Sequence, residues 1–276
     1  MTAVSPSHAH APRTAHRFAT AGVVLGSAAL LALLILPVGV LLLRGGAQGV
    51  RALGVDAELR NALALTAVTA TATTMVTVVL GTPLAYLLAR GRMPASTLVS
   101  ALLDLPLLIP HPVAGIALLL AFGRASPAGD ALARLGFAIA GSPLGIALAM
   151  LFVAAPLYVS AAREACARVD ARYEAVARTL GDSPWRATWR VTRPLAGRGL
   201  VAAAVVMWAR AVSEFGAIVI LTYNPKVASV LSYDRFTSFG LDAALPVAAV
   251  LVLLALVPLL VLRSLRAGVA LGEPAR

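Results

Sequence analysis

Charge is scarce in this chain: Asp, Glu, Lys and Arg supply only 13 % of its 276 residues. A soluble globular domain carries about a quarter. With 60 % of residues hydrophobic, the sequence reads as an integral membrane protein. Cysteine is almost missing. Cys166 stands alone, which excludes an internal disulfide framework and a multi-cysteine metal site. Neither GxxxxGKS nor GxxxxGKT occurs, so the chain has no phosphate-cradling loop of its own. It also lacks clustered His, Asp or Cys ligands for a membrane-embedded enzyme, a domain-sized repeat and a separate soluble domain. Negative charge is the scarcer sign, with 12 Asp+Glu against 23 Lys+Arg and a net charge of +11. In a soluble protein that excess would suggest nucleic acid. Between long apolar runs, a positive-inside bias beside anionic lipid headgroups accounts for it, and no nucleic-acid partner is expected.

What is present is a succession of apolar runs. Residues 1–17 form a polar tail with His8, His10 and His16. Six spans are expected, at about Phe18–Leu43, Asn61–Ala89, Leu98–Phe122, Ser142–Ala162, Val201–Thr222 and Ala243–Leu262. The first exceeds a signal-peptide core in length, so it is read as a retained helix. Residues 18–262 thus make one all-α, polytopic domain, and 263–276 a short basic tail. Six spans put both termini on one side. Taking that side as cytoplasmic places 15 Lys+Arg inside and seven outside, with Arg210 inside span five.

The longest polar interval is 163–199, which holds eight of the Lys+Arg residues. Its punctuation predicts two helices and a sharp turn. The first stops at Gly181, free to take the left-handed conformation. Asp182 or Ser183 caps the second, and Pro184 opens it. That helix is expected to end at Arg193, before Pro194, giving a rod of roughly 15 Å. A rigid helix–turn–helix exceeds what a span connection needs and reads as a docking element. Trp185 and Trp189, four apart, either meet the partner or anchor the loop to the spans. Glu174 and Arg178 are spaced for an i, i+4 ion pair.

YEAVARTLGDSPWRATWRVTRPL, from Tyr173, resembles the cytoplasmic coupling loop of six-helix ABC importer permeases. Ala177, Leu180, Gly181, Val191 and Pro194 match that pattern. The family's Glu usually lies six residues before the Gly, where Ala175 stands; Glu174 is seven before it. WARAVSEFGAIVILTYNP resembles the fifth helix of oxyanion permeases, with Glu214, Phe215 and Gly216 after the hydroxyl residue Ser213. IPHPVAGIALLLAFG, from Ile109, resembles the third helix of the tungstate and molybdate members. The resemblance implies the membrane subunit of an ATP-driven oxyanion importer in a bacterial or archaeal cell membrane. Its implied partners are a second copy, separate ATPase subunits that carry ATP and Mg, and an extracytoplasmic oxyanion-binding protein. A sulfate/thiosulfate permease shares the plan. An ion-gradient-driven transporter would not need the loop.

Polar residues within the spans mark the candidate pathway or gate. Glu214 at mid-span costs at least ~2.5–3.5 kcal/mol unpaired. Arg210, four residues earlier, shares its face and is expected to pair with it, either at a gate or as a lock between helices. Pro106, Pro110 and Pro112 remove backbone donors and predict a kinked, pathway-lining helix. His111 there is a proton relay or packs on a neighbour. Thr66, Thr69, Thr73 and Thr77 form one stripe, which either passes an oxyanion or joins packed helices.

Overall fold

The computed structural model describes the backbone of residues 13–270 and the side chains of residues 22–264. Residues 1–12 and 271–276, the outer parts of the two expected tails, lie outside that range. Every regular element among the described residues is helical. Five helices are long and apolar enough to cross a membrane, and six if a bent pair counts as one span.

The first helix, α1 (Arg13–Val55), runs through the segment expected as the first outer loop. The chain breaks only at Asp56, which caps α2 (Ala57–Ala89) by accepting the Leu59 N–H at 3.0 Å. Span three is broken rather than kinked. α3 (Ser96–Leu108) and α4 (His111–Phe122) meet at 114°. Pro110 forces Ile109 into extended geometry, and Pro112 restarts the helix where a missing N–H costs nothing. After a short α5 (Pro127–Arg134), Ser142 and Pro143 open α6 (Pro143–Ala167).

The polar interval gives α7 (Ala171–Thr179), capped by Asp170 and ended by a turn at Gly181, where φ is +96°. Ser183 caps α8 (Pro184–Ala187). The second helix does not stop at Arg193. A π-helical turn, Thr188–Thr192, joins α8 to α9 (Arg193–Val212). There the Arg193 N–H reaches back five residues to the Thr188 carbonyl. The register shift falls where Pro194 would otherwise break an α-helical ladder, so the helix absorbs the proline. One rod therefore spans Pro184–Val212, 29 residues, about 43 Å at helical rise.

Span five unwinds at residues 213–215 before α10 (Gly216–Leu221). Two further helices follow. α11 (Ala228–Phe239) occupies the stretch expected as an outer loop, and α12 (Leu241–Ala270) is the sixth span. The main buried core joins α2, α6, α9 and α10 around Met150, Tyr158, Met207 and Ile218. Alanine is its most frequent residue (Ala70, Ala85, Ala149, Ala154, Ala203 and Ala211 among them) and lets backbones approach closely where lipid offers no hydrophobic drive. α12 packs on α1 and α11 at the side.

Candidate functional site

Two polar nodes stand out, one at the membrane edge and one inside it. The first fastens the loop formed by α7 and α8 to α2. Glu174 lies in α7's first turn and is 3 % exposed. Its Oε1 accepts Arg90 Nε at 3.0 Å and Nη2 at 2.6 Å, and also the Thr192 hydroxyl. Its Oε2 accepts the Tyr86 hydroxyl at 2.8 Å. Arg90 also donates to the Val169 carbonyl at 2.9 Å. Burial alone would raise the Glu174 pKa. Hydrogen bonds from Thr192, Tyr86 and Arg90 outweigh it and hold the carboxyl below its ordinary value.

This corrects the expected Glu174–Arg178 pair: Glu174 faces inward to α2, and its cation is Arg90. The one-residue offset in the loop pattern has a direction. Ala175 is exposed on the outer face of α7, while Glu174 is buried beneath it. Arg90, Tyr86 and Thr192 were not among the sequence candidates. The signal available for the first two was their spacing of four at the C-terminal end of span two.

Apolar surface lies on the opposite side of the loop. Tyr173, Val176 and Leu180 are 59 %, 57 % and 83 % exposed on or next to α7, outside every spanning helix. Ala177 is half-buried between them and Val191 half-buried in the π turn. Trp185 and Trp189 meet edge to face with centroids 5.7 Å apart, and Arg193 lies 4.3 Å over the Trp189 ring. Both indoles line a cavity of about 290 Å³ with Val79, Pro83 and Tyr86 of α2. Facing α2 across that cavity, yet 55 % and 44 % exposed, Trp185 and Trp189 fit the anchor and the docking reading alike.

The second node forms where the two broken spans meet. Arg210 lies in the last turn of α9, Glu214 in the unwound segment, and His111 opens α4. Arg210 Nη2 is 2.7 Å from Glu214 Oε2 and 2.7 Å from His111 Nε2, so the expected pair forms and gains His111 as a third member. Glu214 is 1 % exposed. Its Oε1 accepts the Ala217 N–H at 2.9 Å and so restarts the chain as α10. The Ser229 hydroxyl holds its carbonyl at 2.7 Å, and Phe215 packs on Tyr233 at 5.0 Å between centroids. Gly216 permits the meeting: a Cβ there would lie 2.6 Å from His111 Cβ. His111, Pro112, Arg210, Ser213, Glu214, Phe215 and Gly216 line one open cavity. Pro110 makes the break that aims His111 into it.

The threonine stripe does not join this node. Thr66, Thr69, Thr73 and Thr77 are buried on the core face of α2. Thr66 donates to the Ala62 carbonyl at 2.7 Å and accepts the Ala228 N–H at 2.9 Å. Thr73 donates to the Ala147 carbonyl of α6 at 3.3 Å. Thr69 and Thr77 bond carbonyls one turn back. With their hydroxyls engaged inside packed helices, these residues form a seam and not a pathway lining.

Residues 78–269 match the family described as binding-protein-dependent transport system inner membrane component. A molybdate/tungstate transport system permease protein of Thermococcus kodakarensis is 43 % identical over 207 residues, 75 % of this chain and 77 % of the relative. A sulfate transport system permease protein of Synechocystis is 30 % identical over 244 residues, 86 % of this chain and 85 % of the relative. A solved bacterial ABC transporter involved in the import of the acidic polysaccharide alginate matches with a TM-score of 0.67 and 13 % identity. That match covers 94 % of this chain and 97 % of that one, and it is a likeness of fold alone.

Proposed function

The chain belongs to the family of binding-protein-dependent transport system inner membrane components, and from that premise we propose that it is the membrane subunit of an ATP-driven oxyanion importer. Molybdate or tungstate is the substrate that the 43 % identical relative supports. The observation that carries the reading is the docking loop. Its outer face is apolar and exposed at Tyr173, Val176 and Leu180, and its inner face is pinned to α2 through Glu174 and Arg90. An apolar patch on the cytoplasmic side, rimmed by arginines, fits a partner protein. The partner proposed is an ABC ATPase subunit that supplies ATP and Mg. A second copy of the chain completes the channel, and an extracytoplasmic binding protein delivers the ion.

The route from loop to pathway follows from the helix that does not end. ATP binding closes the ATPase pair and draws the two docking loops together. α8, the π turn and α9 form one rod, so the displacement reaches Arg210 and the unwound segment directly. The lock between Glu174 and Arg90 makes α2 follow. The chain itself acts as a mechanical coupler, and chemistry resides on the ATPase.

Three measurements test this. Vesicles holding the permease, its ATPase and the neighbouring binding protein should take up labelled molybdate or tungstate, and ATP depletion at constant membrane potential should stop it. Persisting uptake would make the chain a gradient-driven carrier. Preference for sulfate over both metal oxyanions would move it to the sulfate permeases, the direction of the 30 % identical relative.

Orientation is tested by labelling. In a Cys166→Ala background, cysteines at the exposed positions Ala128 and Ser238 should react with an impermeant thiol reagent added outside. A cysteine at Arg186, 62 % exposed on α8, should react only after permeabilisation. Labelling of Arg186→Cys in intact cells would invert the topology.

Gly181 tests the loop's shape. With φ at +96° and no atom within 4 Å of a Cβ, a side chain there meets backbone strain and not a clash. Gly181→Val should leave the spans inserted and abolish ATPase capture, while Gly181→Asn, which tolerates such geometry better, should retain part of it. Undiminished pull-down by Gly181→Val would remove the loop from the docking role.

A further inference from the structure

Glu214 is a puzzle on the oxyanion reading, because a buried carboxylate repels the ion meant to pass. Its geometry resolves the conflict. Glu214 sits in the cavity wall but is 1 % exposed, and its Oε2 is spent on Arg210 at 2.7 Å. The side chains beside it that reach the open space, a cavity of about 450 Å³ walled also by Pro112, Phe215 and Gly216, include a cation and hydrogen-bonding groups. Arg210 is 22 % exposed there and His111 43 %. The Ser213 hydroxyl accepts from Arg210 Nη1 at 3.3 Å and donates to the Arg210 carbonyl at 3.0 Å, so it serves an ion by rotating off that carbonyl. His111 opens the 12-residue helix α4, whose N-terminal end adds positive potential. Without Glu214, these residues form a donor set for a tetrahedral oxyanion: a planar guanidinium fork, an imidazole and a hydroxyl.

We infer that Arg210, His111 and Ser213 form a transient oxyanion site in the membrane, and that Glu214 is the internal counter-anion that empties it. This rests on the oxyanion reading above and names what that reading leaves open, the point where the ion meets the permease. Glu214 lies four residues from Arg210, so it competes at an effective concentration on the order of millimolar or above. An arriving ion displaces it only while the site holds an outward geometry. When the docking rod moves, Arg210 returns to Glu214 and the ion loses its main ligand. Neutralising Glu214 therefore should not open the path; it should trap the ion.

The test uses the complete complex of permease and ATPase in lipid nanodiscs, with labelled molybdate, tungstate and sulfate as probes. Wild type should retain none of them on filtration. Glu214→Gln should retain one, with affinity at least tenfold above wild type, and its uptake rate should fall at least tenfold. Adding Arg210→Gln to Glu214→Gln should abolish retention. Ser213→Ala should weaken it several-fold. If Glu214→Gln fails to insert, Glu214→Asp, whose shorter reach loosens the hold on Arg210, should show the same retention to a smaller degree. Equal retention by wild type and both Glu214 variants would overturn the inference, as would retention that survives loss of Arg210. A wild type that imports none of the three ions, beside a Glu214→Gln that holds one, would sink the importer reading and leave the site standing. Import by wild type with no retention by either variant would do the reverse.

Discussion

Glu174→Ala is expected to lower thermal stability sharply and to release the docking loop from the spans. The substitution leaves Arg90, 8 % exposed at its side chain, as a buried cation without its carboxylate. Breaking a buried pair from one side costs ~3–5 kcal/mol. The Tyr86 and Thr192 hydroxyls lose an acceptor at the same time. Arg90→Met with Glu174→Met removes both charges and should recover most of the stability. It should not recover coupling, since apolar contact does not fix the loop's angle as the directed hydrogen bonds from Arg90, Tyr86 and Thr192 to one carboxylate do. The measurements are melting temperature, ATPase capture and ATP-dependent uptake for both variants. A double variant that transports normally would reduce the node to a stabiliser.

The same carboxyl sets a pH signature. Its folded-state pKa is depressed below 4.5. A depressed pKa contributes stability that is present above the unfolded-state value and lost as pH falls through the folded one. The stability gap between wild type and Glu174→Gln should be flat from about pH 6 to 8 and narrow only below the ordinary 4.5.

Local rules read the polar loop well and the broken spans less well. Gly181 marked the turn and Ser183 the cap because both act within a few residues. The end expected at Arg193 failed because a proline's cost depends on the ladder around it, and the π turn had already shifted that ladder. The first outer loop vanished into α1 because helical bonds and the packing of α12 outweigh scattered arginines. α11 passed for a loop because its polar face is satisfied by partners outside the helix. Arg235 reaches Asp56 at 2.6 Å, Lys226 reaches Asp234 at 2.6 Å, and Glu58 accepts from Arg235 at 2.9 Å. At the site, spacing alone supplied the Arg210–Glu214 pair. Arg90 and His111 needed the tertiary fold, because their partners lie 84 and 99 residues away.

Arg210→Leu, Glu214→Leu and their combination should show unequal single costs and a stable, inactive double variant. Arg210→Leu is the more damaging single change. It leaves Glu214, 1 % exposed, with only His111 at 3.7 Å as a candidate cation, and should approach the ~3–5 kcal/mol of an uncompensated buried charge. Glu214→Leu leaves Arg210, which reaches the open cavity and keeps His111 within 2.7 Å, so its cost should be smaller. The pair should therefore be strongly non-additive, with the double variant more stable than Arg210→Leu alone. Transport separates the two roles. A pair that only fastens helices predicts uptake returning with stability. On the pathway reading, the double variant expresses well and captures its ATPase, yet imports nothing, because the guanidinium that meets the ion is gone. Melting temperature, ATPase pull-down and uptake on the three variants decide between them. Uptake in the double variant within a few-fold of wild type would remove Arg210 from the path and leave span five unwound for packing alone.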